Sequence, residues 1–125
     1  MDTLIRYSLL ATLVAGMAPA ASVITTRLED PKAVYLSATE FAAKGDGEAD
    51  DSAAIQAAID KAENRAGTGI LFVPSGRYRL TRTIYAWPGV RIFGYGATRP
   101  VFVLGPNTPG FQKGVGVMVM FRGAG

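Results

Sequence analysis

Lys44-Gly45-Asp46-Gly47-Glu48-Ala49-Asp50-Asp51-Ser52, followed by Ala53-Ala54-Ile55-Gln56-Ala57-Ala58-Ile59, is the stretch whose reading decides the fold. The first part concentrates glycine and acid, which marks a turn. In the second part Ala54, Ile55, Ala58, Ile59 and Ala62 recur at spacings of one, three and four, so they share one face of a helix. Gln56, Asp60, Lys61 and Glu63 mostly face the other way. Asp50, Asp51 and Ser52 stand where side-chain oxygens satisfy orphan N–H groups and where negative charge suits the helix dipole. The predicted helix covers 51–65, with Gly67 and Gly69 ending it. Gly45 and Gly47 allow the backbone angles that a sharp approach to it requires.

Outward from this stretch, both flanks read as extended. Ala33-Val34-Tyr35-Leu36 is a short extended piece after Pro31, and the residues around it are mixed. Beyond Gly69 the pattern changes to short apolar runs broken by Pro and Gly turns: Ile70–Val73, Tyr78–Leu80, Thr83–Tyr85, Val90–Phe93, Val101–Leu104 and 115–121. Gly94-Tyr95-Gly96 reads as a turn, and 105–114 as a Pro/Gly-rich loop. Several runs are apolar at successive positions, as strands are when both faces are covered. Phe72 and Phe93 stand 21 residues apart, each in a short, mainly apolar run followed by a Gly-containing turn. Short strands with a loose period of this length point to a sandwich, a barrel or a stacked β-solenoid.

The order of these segments resembles the opening of the pectate-lyase-superfamily right-handed parallel β-helix domain. This group includes polygalacturonase-like, rhamnogalacturonase-like and exo-1,3-glucanase-like glycoside hydrolases, and phage tailspike-like proteins. The resemblance covers about residues 39–104. It lies in Lys44–Gly47 with Asp50-Asp51-Ser52 and Ala54–Ile59, in Gly69–Tyr78 as a first coil, and in Gly89–Gly96 as a second. It implies a mainly β fold, the first coils of a parallel β-helix, with helix 51–65 as an N-terminal capping α-helix. A cap is physically reasonable, because the first coil of a solenoid otherwise exposes apolar cross-section and unpaired strand edges.

Composition narrows the function classes. The chain has 125 residues, no Cys and no His. Disulfide scaffolds, Cys/His zinc sites and Ser-His-Asp or Cys-His catalysis are therefore excluded for this stretch. The net charge of +3 hides an asymmetry: residues 1–63 carry −5 and residues 64–125 carry +8. A basic half suits an acidic partner such as nucleic acid, anionic lipid or a uronic-acid polymer. Residues 1–20 read as a signal peptide: Arg6 near the start, an apolar run over 7–15, then Ala18-Pro19-Ala20. That run is shorter than the ~20 residues a membrane span needs. The expected organisation is a signal peptide at 1–20, a lead-in segment at 21–38, and the N-terminal part of a β-helix domain at 39–125, apparently truncated.

Each candidate chemistry has a plainer reading beside it. Asp50 and Asp51 imitate paired acid/base carboxylates, but adjacent acids leading into a helix are capping residues. Asp46, Glu48 and Asp50 match positions 1, 3 and 5 of a calcium loop, which then fails at Asp51 and Ala57. Gly94-Tyr95-Gly96 followed by Arg99 lacks the third glycine and the helix of a dinucleotide fingerprint. Asn107-Thr108-Pro109 lacks the hydroxyl residue of a glycosylation acceptor. Arg77, Arg79, Arg82, Arg91 and Arg99 interleave with Tyr78, Tyr85, Trp87 and Tyr95. They form the solvated side of a sheet, a glycan-stacking surface or a nucleic-acid surface; export conflicts with the last.

Usual glycoside hydrolysis needs two facing carboxyl groups, and no Asp or Glu follows Glu63. The sequence therefore gives no catalytic, cofactor-binding or metal residues. The resemblance implies a secreted or periplasmic polysaccharide-degrading parent, a pectin- or 1,3-glucan-type hydrolase or alternatively a polysaccharide lyase. Its polysaccharide substrate would be the partner, with no nucleic acid and no membrane after signal removal. The competing class is a non-catalytic glycan-binding, adhesion or tailspike-like module.

Overall fold

Parallel pairing between strands far apart in sequence organises the chain. The structure, a computed structural model, describes residues 20–64 and 69–123. The signal-peptide reading of 1–20 lies outside these residues apart from Ala20, and so does Arg65 at the expected helix end. In chain order the elements are β1 (Val34–Tyr35), α1 (Ala38–Phe41), β2 (Asp46–Asp50), α2 (Ser52–Asn64), β3 (Ile70–Pro74), β4 (Arg77–Leu80), β5 (Ile84–Ala86), β6 (Arg91–Tyr95), β7 (Val101–Leu104) and β8 (Val119–Phe121).

Three sheets result, ordered β1-β3-β6, β2-β4-β7 and β5-β8, and every neighbouring pair is parallel. The run β3-β4-β5 is thus repeated by β6-β7-β8, each strand lying beside its counterpart. The 21-residue spacing seen in the sequence is this register, because Phe72 pairs with Phe93. The next pairing, Tyr78 with Phe102, spans 24 residues, and the third, Tyr85 with Met120, spans 35. The extra residues of the third lie in the loop after β7. The expected strand over 115–121 accordingly shrinks to Val119–Phe121, and Val115 is 95% exposed.

Apolar runs decide what is buried. Leu71, Val73, Leu80 and Ile84 point inward and are essentially inaccessible, together with Ile55, Ala58 and Ile59 of α2. Each fully buried Ile or Leu contributes about 1.5–3 kcal/mol. The expected apolar face of the helix is thus the buried one. It packs against β1, β3, β4 and β5, strands drawn from all three sheets. On the outer side of β3, Tyr35, Phe72 and Phe93 stack with centroids 5.2 and 5.8 Å apart. This explains the apolar residues at successive positions of β3, both of whose faces are covered. The chain ahead of β1 crosses here. Ala21 bridges Thr98 in antiparallel sense, Gly96 N–H donates to Ile24 C=O, and the Arg27 guanidinium lies 4.1 Å from the Tyr35 ring centroid.

Two expected turns contain strand. Gly94 and Tyr95 continue β6, opposite Val73 and Pro74. Within the glycine-and-acid turn, Asp46–Asp50 pairs with β4, Asp46 opposite Arg77 and Asp50 opposite Arg79. Four steps on β2 therefore match two on β4. The excess is taken up where the Asp46 carboxylate accepts from the Glu48 and Ala49 N–H groups, an Asx turn built into the strand.

Candidate functional site

The acids of the turn serve as local clamps. Asp51 is 1% exposed, and its carboxylate accepts from Lys44 N–H at 2.7 Å and Gly45 N–H at 2.9 Å. It thereby holds the turn, while its own C=O accepts the first helical bond from Ile55 and its N–H donates to Arg79 C=O. Asp50 does the capping work: its carboxylate accepts from Ser52 N–H and from the hydroxyls of Ser52 and Thr81. Partial burial pushes the Asp50 carboxyl upward, but these donors outweigh it and leave the group below its ordinary value. The Ala49 and Glu48 N–H groups do the same for Asp46. Asp50 and Asp51 are neighbours with separate hydrogen-bond sets, not a facing pair across a cleft. Among the described residues no cluster of three or more His, Cys, Asp or Glu is placed to hold a metal ion.

Other carboxylates line a 360 Å³ groove between the chain ahead of β1, β1 itself, α1 and α2. They too are engaged. Glu40 pairs with Lys61, Glu29 with Arg27 at 3.5 Å, and Asp30 accepts from Lys32 N–H at 2.9 Å.

The basic and aromatic residues separate into several places. Arg77 and Arg79 lie on β4, with Arg79 donating to Glu48 C=O at 3.1 Å, while Tyr78 between them points inward. Burial, with the Asp51 charge nearby, pushes the Tyr78 hydroxyl up to about 12. Arg82 follows β4 at the corner, Arg91 opens β6, and Arg99 lies beyond its end beside Pro100. Tyr95 sits edge-on to Phe72, with centroids 6.3 Å apart. The five arginines therefore do not form one patch.

Tyr85 and Trp87 do come together. Tyr85 lies between buried Ile84 and Ala86 on β5 and so projects outward, and Trp87 follows directly after β5, partly buried against the core. Their rings lie 6.0 Å apart and only 15° from parallel. Arg122, just after β8, places its guanidinium 5.2 Å from the Tyr85 centroid and 5.8 Å from that of Trp87. It is brought there by the β5-β8 ladder, in which Arg122 N–H donates to Ala86 C=O. The sequence groups Tyr85 and Trp87 with five other arginines, and Arg122 is added only by the long-range pairing.

The other edge of β5 is held by α2, through Gln56 and Asp60. In a parallel ladder both backbone groups of one residue point to the same neighbour, and those of the next point the other way. Ile84 and Ala86 bond toward β8. Tyr85 points away from it, and the Gln56 amide takes both of its groups, accepting from Tyr85 N–H at 2.9 Å and donating to Tyr85 C=O at 3.0 Å. Asp60 accepts from the Trp87 indole N–H at 2.6 Å and from the Gln56 amide at 2.9 Å. Ser52 Oγ accepts from Thr81 N–H at 2.9 Å. Ser52, Gln56 and Asp60 are spaced by four along α2, a polar line that helical geometry makes visible in the sequence once a strand edge is expected beside it.

This arrangement of parallel strands agrees with the comparison to known proteins. The family model described as rhamnogalacturonase A/epimerase, pectate lyase-like, matches residues 35–120. The chain belongs to this family. Among curated members of the wider group, alginate lyase 7 of Azotobacter vinelandii is 57% identical over 42 residues, 34% of this chain and 5% of that protein. Glucan 1,3-beta-glucosidase of Cochliobolus carbonum is 42% identical over 60 residues, 48% of this chain and 7% of that protein. Mannuronan C5-epimerase AlgE3 of Azotobacter vinelandii is 55% identical over 42 residues, 34% of this chain and 2% of that protein. The chain thus spans less than a tenth of the length of these relatives. No solved structure matches the chain. Among the described residues, no helix of this rhamnogalacturonase A/epimerase-like chain is long and apolar enough to cross a membrane.

Proposed function

We propose that this rhamnogalacturonase A/epimerase-like chain forms the opening coils of a right-handed parallel β-helix, with α2 as the lid on its first coil. The whole protein would be a secreted carbohydrate-active enzyme. The observation that carries the reading is Gln56: its side-chain amide serves the edge of β5 as a strand would, so the helix ends the stack where a further coil is missing. Residues 21–38 act as the lead-in and 39–125 as scaffold. The strands after Glu63 carry Arg and aromatic residues but no acid, so the carboxyl groups of a hydrolase would come from sequence outside these 125 residues.

A glycoside hydrolase of the pectin or 1,3-glucan type is the first activity, supported by the relative named as a glucosidase. The alginate lyase and mannuronan epimerase relatives favour a second, chemistry on uronate residues, which fits the basic half of the chain. The test is an assay of the 125-residue chain on pectin, polygalacturonate, alginate and laminarin. No turnover on any of them is expected. Turnover would place the catalytic groups inside this chain and overturn the scaffold reading.

A further inference from the structure

We infer that Tyr85, Trp87 and Arg122 form a surface subsite for an acidic sugar, a hexuronate unit of a polysaccharide. The inference rests on the carbohydrate reading above and specifies which sugar chemistry this face would take.

Three observations carry it. First, the two rings lie within 15° of parallel with centroids 6.0 Å apart, both partly buried beside β5, an apolar step of the kind on which the C–H face of a pyranose stacks. Second, the step is rigid from beneath. Asp60 fixes the indole by its N–H, and Gln56 fixes the backbone of Tyr85 at both groups. Little ordering is left to occur on binding, which is what favours affinity at a shallow site. Third, Arg122 supplies a charge held only by the two rings and matched by no carboxylate among the described residues. Its guanidinium straddles both rings at 5.2 and 5.8 Å, looser than the 4.1 Å of Arg27 over Tyr35, so neither ring alone holds it. A guanidinium beside a stacking surface takes a carboxylate through two parallel N–H donors.

The carboxylate nearest this face, Asp60, is consumed at the indole edge by the Trp87 and Gln56 donors. No acid occurs anywhere from residue 64 to 125, so the strands around the step present only positive charge to an anionic chain. A neutral glucan would use the rings but leave Arg122 unmatched, which makes the acidic sugar the preferred occupant.

Trp87 is the only tryptophan in the sequence, so its fluorescence reports this site directly. The 125-residue chain is titrated with an oligogalacturonate, an oligomannuronate and a neutral laminari-oligosaccharide. A saturable change is expected with at least one uronate, weakened by added salt. R122Q is expected to weaken uronate binding about tenfold while leaving the weak neutral-sugar response unchanged, as the loss of a charge-assisted contact implies. Y85A is expected to weaken both. The melting temperature of R122Q should equal that of the parent, because Arg122 is exposed. No saturable change with either uronate, equal affinity for neutral and acidic sugars, or a uronate affinity unmoved in R122Q would each overturn the inference. None of these results bears on the turnover assay or on the melting of Gln56 variants, so the scaffold reading stands or falls separately.

Discussion

Replacing Gln56 by alanine removes a single side chain and exposes the logic of the contact between α2 and β5. The amide satisfies Tyr85 N–H at 2.9 Å and Tyr85 C=O at 3.0 Å, and it also donates to Asp60 at 2.9 Å. Each lost backbone partner costs about 1 kcal/mol, the low end for unsatisfied groups, because the site is half-buried and water reaches it. The Gln–Asp contact along the helix adds a few tenths, roughly cancelled by the better helix propensity of alanine. The sum is about 2 kcal/mol. For a folded unit of this size that lowers the melting temperature by about 10 °C. Urea denaturation followed by circular dichroism measures the stability, and hydrogen exchange at the Tyr85 amide measures the local effect. Ala57→Gln, on the exposed side of the same helix, is the control and should stay within about 0.5 kcal/mol of the parent. A Gln56→Ala protein as stable as that control, with Tyr85 protection intact, would refute the claim that the helix completes the edge of β5.

Three further outcomes follow from the same geometry. Asp51→Asn keeps one acceptor for Lys44 and Gly45 but turns an amide donor toward the other N–H, so it should cost about 2–3 kcal/mol in urea denaturation. Gly69→Ala should cost about 3 kcal/mol by the same method, because φ is +54° there and a Cβ would meet the Gly89 carbonyl oxygen at 2.3 Å. Tyr78, raised to about 12 in the fold from 10.0, favours the fold in its neutral form. Its contribution is complete below pH 10 and is lost as the pH rises through 12, so Tyr78→Phe should flatten the alkaline fall in stability over that window.

The fold was legible in the sequence wherever local pattern and long-range pairing agree. The spacing of Ala54, Ile55, Ala58, Ile59 and Ala62 located the buried face of α2, and the interval between Phe72 and Phe93 was already the register of β3 on β6. Legibility failed where pairing overrides local preference. Asp46-Gly47-Glu48-Ala49-Asp50 has little strand propensity, yet it bonds to β4 because an Asx turn absorbs its surplus residues. Gly94 and Tyr95 have turn chemistry but a partner in β3. The site was half visible. Tyr85 and Trp87 stand out as alternating aromatics, whereas Arg122 lies 35 residues beyond Trp87 and reaches it only through the β5-β8 ladder. Gln56 and Asp60 read only as polar positions off the apolar face, because polarity alone does not reveal that a helix face meets an unpaired strand edge.

Cross-linking in the cysteine-free chain tests the stacked parallel coils most directly. Arg77 faces Val101 and Arg79 faces Val103 on the outer side of β4 and β7. Adjacent parallel strands lie about 4.8 Å apart, within reach of a disulfide. Cysteine pairs at 77/101 and 79/103 should both oxidise to intramolecular disulfides, while the crossed pairs 77/103 and 79/101 should not. Disulfides in the crossed pairs instead would show antiparallel strands and contradict the coil architecture on which the account stands.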